Sequence, residues 1–128
     1  MRLKVKILKD GIRMPECRDS QVYSMEVYPP GDPLGFVLEP GKITEIPLGF
    51  AVDVPRGFEL QIRGLPGLIE QKIWTFNTYF ASSGYKSRAT TENELSIWML
   101  NLNKESKRFL AGDRIANMVL IQTAKFTW

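Results

Sequence analysis

The chain contains no histidine and a single cysteine, Cys17, among its 128 residues. A zinc site of the usual histidine and cysteine type is therefore excluded. A Ser-His-Asp or Cys-His nucleophile is excluded as well, because the imidazole that activates it is missing. A disulfide within the chain is impossible with one thiol. Any chemistry must use carboxylates, hydroxyls or a hard metal ion.

Long apolar runs and a strong charge of one sign are absent too. No stretch approaches the roughly 18 to 20 apolar residues of a membrane span, and the opening MRLKVKILKD lacks the apolar core of a signal peptide. The net charge of +3 is too small for the clustered basic face of a nucleic-acid binder. We therefore expect neither a membrane nor a nucleic-acid partner, and a cytoplasmic location, in the host cytoplasm or the virion if the protein is viral.

What the chain does contain is a series of short β-type runs separated by proline and glycine. Residues 2–8 alternate basic and apolar side chains with a period of two, which predicts a half-buried strand. Residues 36–64 give three more runs, broken at Pro40-Gly41, at Pro47 and at Pro55-Arg56-Gly57. Further strands are predicted at 71–80, 95–102 and 116–126, with loops at 28–35 and 82–94. No long segment has a helical period, so an all-β sandwich or barrel in one domain is predicted.

Four aromatic side chains fall in these predicted strands. We expect them to belong to the core or to subunit contacts rather than to a base-stacking platform. They are Trp74, Phe76, Phe80 and Trp98.

The segment FLAGDRIANMVLIQ, residues 109–122, places a Gly-Asp-Arg turn before an alternating strand. Together with LKVKILKDGIRMPE and LEPGKITEIPLGFAVDVPRGFELQIR, in the same order and register, it resembles the trimeric dUTPase family. The related dCTP deaminases share the fold. The resemblance implies an all-β, dUTPase-like β-clip or jelly-roll barrel, a homotrimer, and one domain over residues 1–128 that lacks the family's glycine-rich C-terminal arm. Analogy with small viral genomes suggests a phage or viral origin.

The resemblance also assigns remnants of the family's sites. Gly67, Asn77 and Tyr85 match its nucleotide pocket, and Glu26 stands where the first motif has an aspartate. Asp113 and Arg114 match the fourth motif, and Asn117 stands where the family has glutamine. For this motif we expect a role in subunit packing, with Asp113 and Arg114 as an ion pair.

Three features of the family are missing from this sequence. The phosphate loop, Pro-Arg-Ser-Gly-Leu in the family, reads GLPGL at residues 64–68, so Leu65 and Pro66 replace the arginine and the serine. The catalytic aspartate falls near Ser82 or Ser83, and the closing arm is absent. These changes favour the hypothesis of a protein that is not an enzyme and has no catalytic residue or cofactor. It would be a homotrimeric structural or interaction module with an unknown protein partner.

Two alternatives remain open. The first is a nucleotide-sensing regulator that binds nucleotide weakly through a residual uracil pocket around Asn77 and Tyr85. The second is a divergent dUTP diphosphatase in which Glu26, Glu92 or Glu94 holds Mg²⁺ and activates water. Only this second alternative requires a metal ion.

Overall fold

The computed structural model describes residues 3–9, 12, 16–17, 22–26, 35–81, 94–110 and 112–124. Within these ranges it contains eleven strands and one short helix. The strands are β1 (Lys4–Ile7), β2 (Glu16–Cys17), β3 (Val22–Glu26), β4 (Phe36–Leu38), β5 (Ile43–Asp53), β6 (Phe58–Gly64), β7 (Ile73–Thr75), β8 (Thr78–Ala81), β9 (Glu94–Asn101), β10 (Lys107–Phe109) and β11 (Arg114–Gln122), and the helix is α1 (Pro66–Glu70).

The strands form two larger sheets and a two-stranded ribbon. Sheet A has the order β1-β5-β9-β7, sheet B has the order β2-β3-β11-β6-β8, and β10 pairs with β4. Every pairing between these strands is antiparallel. The prediction of an all-β fold is therefore confirmed. No helix in the described ranges is long and apolar enough to cross a membrane.

The proline at position 47 interrupts a strand without ending it. The sequence predicts a break there, whereas β5 runs continuously from Ile43 to Asp53. The register with β9 shifts between Pro47 and Ala51. Pro47 is the last residue paired with β9 before this bulge, opposite Ser96, and proline is tolerated where regular pairing ends. Gly49 lies in the bulge with φ of 80°, and a Cβ atom there would collide with the Ile12 side chain.

Residues 71–80, predicted as one strand, form two strands in different sheets. β7 pairs with β9 in sheet A, and β8 pairs with β6 in sheet B. The Phe76 N–H donates the last hydrogen bond to β9, at the Trp98 carbonyl. The chain then crosses to sheet B at Asn77. An alternating pattern predicts strand conformation but does not predict which sheet the strand joins.

The core lies between the inner faces of the two sheets. Its most deeply buried side chains include Ile62 from β6, Ile97 and Met99 from β9, and Ile115 from β11, all fully inaccessible. Among the aromatic residues singled out from the sequence, Trp74 is 45% exposed and so lies outside this core. Trp98 is half-buried.

A buried asparagine closes the end of β9. Asn101 is fully inaccessible, and its side-chain amide donates hydrogen bonds to the Leu38 carbonyl at 3.0 Å and the Glu105 carbonyl at 2.8 Å. Its Oδ1 accepts from the Asn103 N–H at 2.9 Å. One side chain therefore ties β4, β9 and the turn to β10 together.

We predict that Asn101→Ala destabilises the fold by about 2–4 kcal/mol, because it leaves buried carbonyls without a donor. Urea unfolding at fixed protein concentration measures this loss. The exposed neighbour Lys104 provides the control, since Lys104→Ala should stay within about 0.5 kcal/mol of the parent. An equal effect of the two substitutions would show that the network adds no stability.

Candidate functional site

Three strands approach one another closely at Gly64, Thr75 and Ile115, a place we call the three-strand corner. The Thr75 hydroxyl donates to the Ile115 carbonyl at 3.1 Å and so connects sheet A to sheet B. A Cβ atom at Gly64 would lie only 3.0 Å from the Thr75 carbonyl oxygen, so glycine fits this contact best. The Gly64 N–H also points to Asn77 Oδ1 at 3.4 Å. The corner therefore brings together residues 64–68, Asn77 and the start of β11.

A bulge in β11 explains why Thr75 is needed. The pairing of β11 with β3 shifts between Arg114 and Ala116, and the pairing with β6 begins only at Ala116. Ile115 thus lies outside both ladders. Its carbonyl is buried and accepts instead from the Thr75 hydroxyl. The bulge sets the direction of the two side chains that flank it in the fourth motif, Arg114 and Asn117.

The residues at positions 65–68 form the first turn of α1 rather than an open loop. Leu65 is extended and its carbonyl accepts from the N–H groups of Leu68 and Ile69, at 3.0 and 3.3 Å. Pro66 occupies the first helical position, where its missing N–H costs nothing. Leu68 is buried, whereas Gly67 is exposed and has open space where a Cβ would stand. The sequence does not predict this helix, because five residues are too few to show a helical period.

Two arginine side chains lie beside Asn117 on the solvent face of sheet B. Arg63 lies directly opposite Asn117 in the register of β6 and β11, so their side chains share one face. The opposite face carries the buried Ile62 and Met118. Arg114 Nη2 donates to Asn117 Oδ1 at 3.4 Å. Its Nε atom is buried and has no hydrogen-bond partner among the residues that the structure describes.

Asp113 closes a turn instead of pairing with Arg114. Its carboxylate accepts from the Leu110 N–H at 2.7 Å, and its own N–H donates to the Leu110 carbonyl at 3.0 Å. Gly112 has φ of 92°, which favours glycine in this turn. Of the fourth-motif residues, Arg114 and Asn117 contact each other, and Asp113 shapes the turn before them.

The candidate carboxylates are not all in the same place. Glu26 ends β3 opposite Arg114 in the backbone register, and its side chain lies outside the described part of the chain. Glu94 begins β9 in sheet A, where its carboxylate is buried with Lys9 Nζ 3.8 Å from it. Tyr85, Glu92 and the two serines at the aspartate position lie outside the described residues. In the described ranges no group of three Cys, Asp or Glu residues is arranged to hold a metal ion.

Comparison with proteins of known sequence identifies the family. No protein-family model matches the chain. The deoxyuridine 5′-triphosphate nucleotidohydrolase of Treponema denticola is 32% identical over 116 residues, which cover 88% of this chain and 75% of that protein. The enzymes of the same name from Desulfotalea psychrophila and a Thermoanaerobacter species are 33% and 36% identical, each over 71% of this chain. Those matches span only 58% and 59% of the two relatives. The chain belongs to the deoxyuridine 5′-triphosphate nucleotidohydrolase family.

Solved structures agree on the fold. A point mutant of the dUTPase of Staphylococcus bacteriophage 80alpha superimposes with a TM-score of 0.79 at 18% identity, over 99% of this chain and 94% of that one. A point mutant of the dUTPase from S. aureus phage phi11 superimposes with a TM-score of 0.79 at 18% identity. The match covers 100% of this chain and 95% of that one. That structure is described as showing the coordination of a structural Mg(II) ion. At this identity the likeness shows the all-β dUTPase fold, as the sequence predicts.

These relatives contradict the hypothesis of a catalytically inactive module, and the prediction that the chain is not an enzyme is wrong. The sequence similarity ties it to proteins named as nucleotidohydrolases. The hypothesis gave too much weight to single positions such as Leu65 and Pro66, which it treated as a loss of phosphate contacts. In the structure two arginines, Arg63 and Arg114, lie on the neighbouring strands. The position of the aspartate that the hypothesis called missing lies outside the described residues.

We predict that Thr75→Val destabilises the protein by about 1–3 kcal/mol, because the buried Ile115 carbonyl loses its donor while side-chain volume is retained. Thr75→Ser is the matched control, since it keeps the hydroxyl. Denaturant unfolding of both variants, with hydrogen exchange at residues 115–117, checks the expectation. If the Thr75→Ser and Thr75→Val variants had the same free energy of unfolding, the hydroxyl would have no role in stabilising the bulge.

Proposed function

We propose that the chain hydrolyses dUTP and releases pyrophosphate. The observation that carries the proposal is the 32% identity to the Treponema denticola nucleotidohydrolase across 75% of that protein. This corresponds to the divergent diphosphatase among the interpretations of the sequence. Support comes from the described residues Asn77, Arg114 and Asn117, whose contacts lie around the three-strand corner.

The base would bind near Asn77 and the phosphates near the start of β11. Asn77 is exposed at the crossing from sheet A to sheet B, next to the backbone of Gly64. Arg114 and Asn117 follow on the other side of the three-strand corner, where Arg114 Nη2 donates to Asn117 Oδ1. Gly67 leaves room beside residues 64–68 for a ligand. Tyr85 remains a proposed part of the base pocket.

Glu26 is the carboxylate we propose for activating water. Its backbone position opposite Arg114 puts it at the same end of sheet B as the fourth motif. Glu94 is less suitable, because it is buried in sheet A with Lys9 close by. A carboxylate placed within hydrogen-bond reach of water acts as a general base.

A metal ion held by the protein alone does not fit the described residues, since no three candidate ligands are grouped there. Mg²⁺ in nucleotide sites is commonly held by one or two carboxylates together with the substrate phosphates. The hydrolysis assay contains Mg²⁺ so that such binding is permitted.

We predict that the protein releases pyrophosphate from dUTP in Mg²⁺ buffer, and that Glu26→Gln lowers kcat by about 10²–10⁴-fold because the base is lost. Pyrophosphate release measures both. Glu105→Gln removes the same charge from the exposed turn after β9 and should leave kcat unchanged. Absence of pyrophosphate above the buffer rate would refute the proposed activity, and full activity of Glu26→Gln would place the base elsewhere.

We further propose a homotrimer, with the outer face of sheet A contributing to its contacts. Ile43, Leu100 and Trp74 lie side by side across β5, β9 and β7. Ile43 is 61% exposed and Trp74 is 45% exposed. An apolar row of this kind is costly in water, and a subunit contact would cover it.

We predict that Ile43→Lys combined with Trp74→Glu lowers the assembly mass measured by light scattering, because both charges would have to be desolvated in the contact. The single change Ile7→Lys replaces another exposed apolar side chain, on β1 away from the row, and should leave the mass unchanged. A trimer that persists in the double variant would show that its contacts lie elsewhere.

A further inference from the structure

A triphosphate is the most highly charged part of the proposed substrate, and residues 64–68 offer it no cation. Hydrogen bonds from a guanidinium to a phosphate are about twice as strong as neutral ones. A site that binds triphosphate therefore needs positive groups from somewhere else in the fold. Arg63 immediately precedes this segment, and Arg63 and Arg114 both lie beside Asn117.

Arg63 is the residue immediately before the segment, at the end of β6. Its guanidinium is held on the sheet surface by Gln61, whose Oε1 accepts from Nε at 3.2 Å and from Nη2 at 2.7 Å. Gln61 is itself fixed by Glu59, through a 2.9 Å bond from Nε2 to Oε2. This chain of contacts restricts the arginine rotamer and keeps the guanidinium on the face of sheet B that Asn117 shares.

The charge of Arg63 is not neutralised by this arrangement. Glu59 contacts the amide of Gln61, which separates the carboxylate from the guanidinium. In the described part of the chain no carboxylate lies within ion-pair distance of Arg63. The Nη1 group has no hydrogen-bond partner there either. The side chain is exposed, so these donors are accessible to a solute.

Arg114 completes the arrangement from β11. Its Nη2 contacts Asn117 Oδ1, and Asn117 faces Arg63 across the two strands. A buried N–H without an acceptor, such as Arg114 Nε, is unfavourable unless something supplies one. An anion over Asn117 would meet donors from Arg63 on one side and from Arg114 on the other.

We propose that Arg63 and Arg114 form an oligophosphate-binding site on sheet B, in which Arg63 supplies the charge that residues 64–68 lack. The identity of the bound nucleotide rests on the proposed function. The anion site itself rests on the two arginines and Asn117 alone. It places the phosphates beside the segment that begins at Gly64, with the base directed to Asn77.

The test compares Arg63→Gln with Arg56→Gln by titration calorimetry. Arg56 is another exposed arginine, in the turn between β5 and β6, so its substitution removes the same charge at a distance from the site. The ligands are dUpNHpp, dUMP and inorganic triphosphate. Loss of charge-assisted bonds predicts about 10- to 100-fold weaker dUpNHpp binding for Arg63→Gln. The affinity of this variant for inorganic triphosphate should fall by a similar factor, and its affinity for dUMP by less than about threefold.

The outcomes separate this inference from the proposed function. Triphosphate binding that depends on Arg63 supports the site even if no pyrophosphate is released from dUTP. Hydrolysis of dUTP with unchanged affinity in Arg63→Gln would overturn the site and leave the function standing. If Arg56→Gln weakened triphosphate binding as much as Arg63→Gln does, the loss would reflect only the net charge of the protein. That result would also overturn the proposed site. Arg63→Lys should recover part of the affinity, because it restores the charge but not the planar fork.

Discussion

The close approach of β6, β7 and β11 is the constraint on which the rest of the structure depends. Thr75 crosses from sheet A to donate to Ile115, and Gly64 leaves space for the Thr75 backbone. Without that contact the bulge in β11 would bury a carbonyl with no donor, which is unfavourable. The corner therefore fixes the relative position of the two sheets at the place where the candidate site residues meet.

The same corner explains how separate sequence motifs become neighbours. Asn77 lies where the chain leaves one sheet for the other, and its side chain contacts Gly64 at the end of β6. Arg114 and Asn117 flank the bulge in β11. Their arrangement depends on strand register and on one threonine hydroxyl. Small changes in packing at Thr75 would therefore displace the side chains of the site.

Much of the fold could be predicted from the sequence, because proline and glycine mark the turns and alternation marks the strands. The features that escaped prediction are those decided by partners distant in the chain. Pro47 does not break β5, because it lies beside a bulge, where regular pairing with β9 ends. Residues 71–80 pass from one sheet to the other at Asn77. The alternation of apolar and polar side chains looks the same in either sheet, so it does not predict the crossing. The expected Asp113–Arg114 ion pair is replaced by a turn hydrogen bond to Leu110.

Function was harder to predict than fold for a related physical reason. A sequence motif is recognised from residues at fixed positions along the chain. The affinity for a phosphate depends instead on the charges that surround it in the folded structure. Leu65 and Pro66 remove donors from one segment, yet the pairing of β6 with β11 puts Arg63 opposite Asn117 and near Arg114. That juxtaposition has no signature in sequence spacing, because the register of two distant strands sets it. On the proposed site, the charge that residues 64–68 lack comes from the sheet that precedes them.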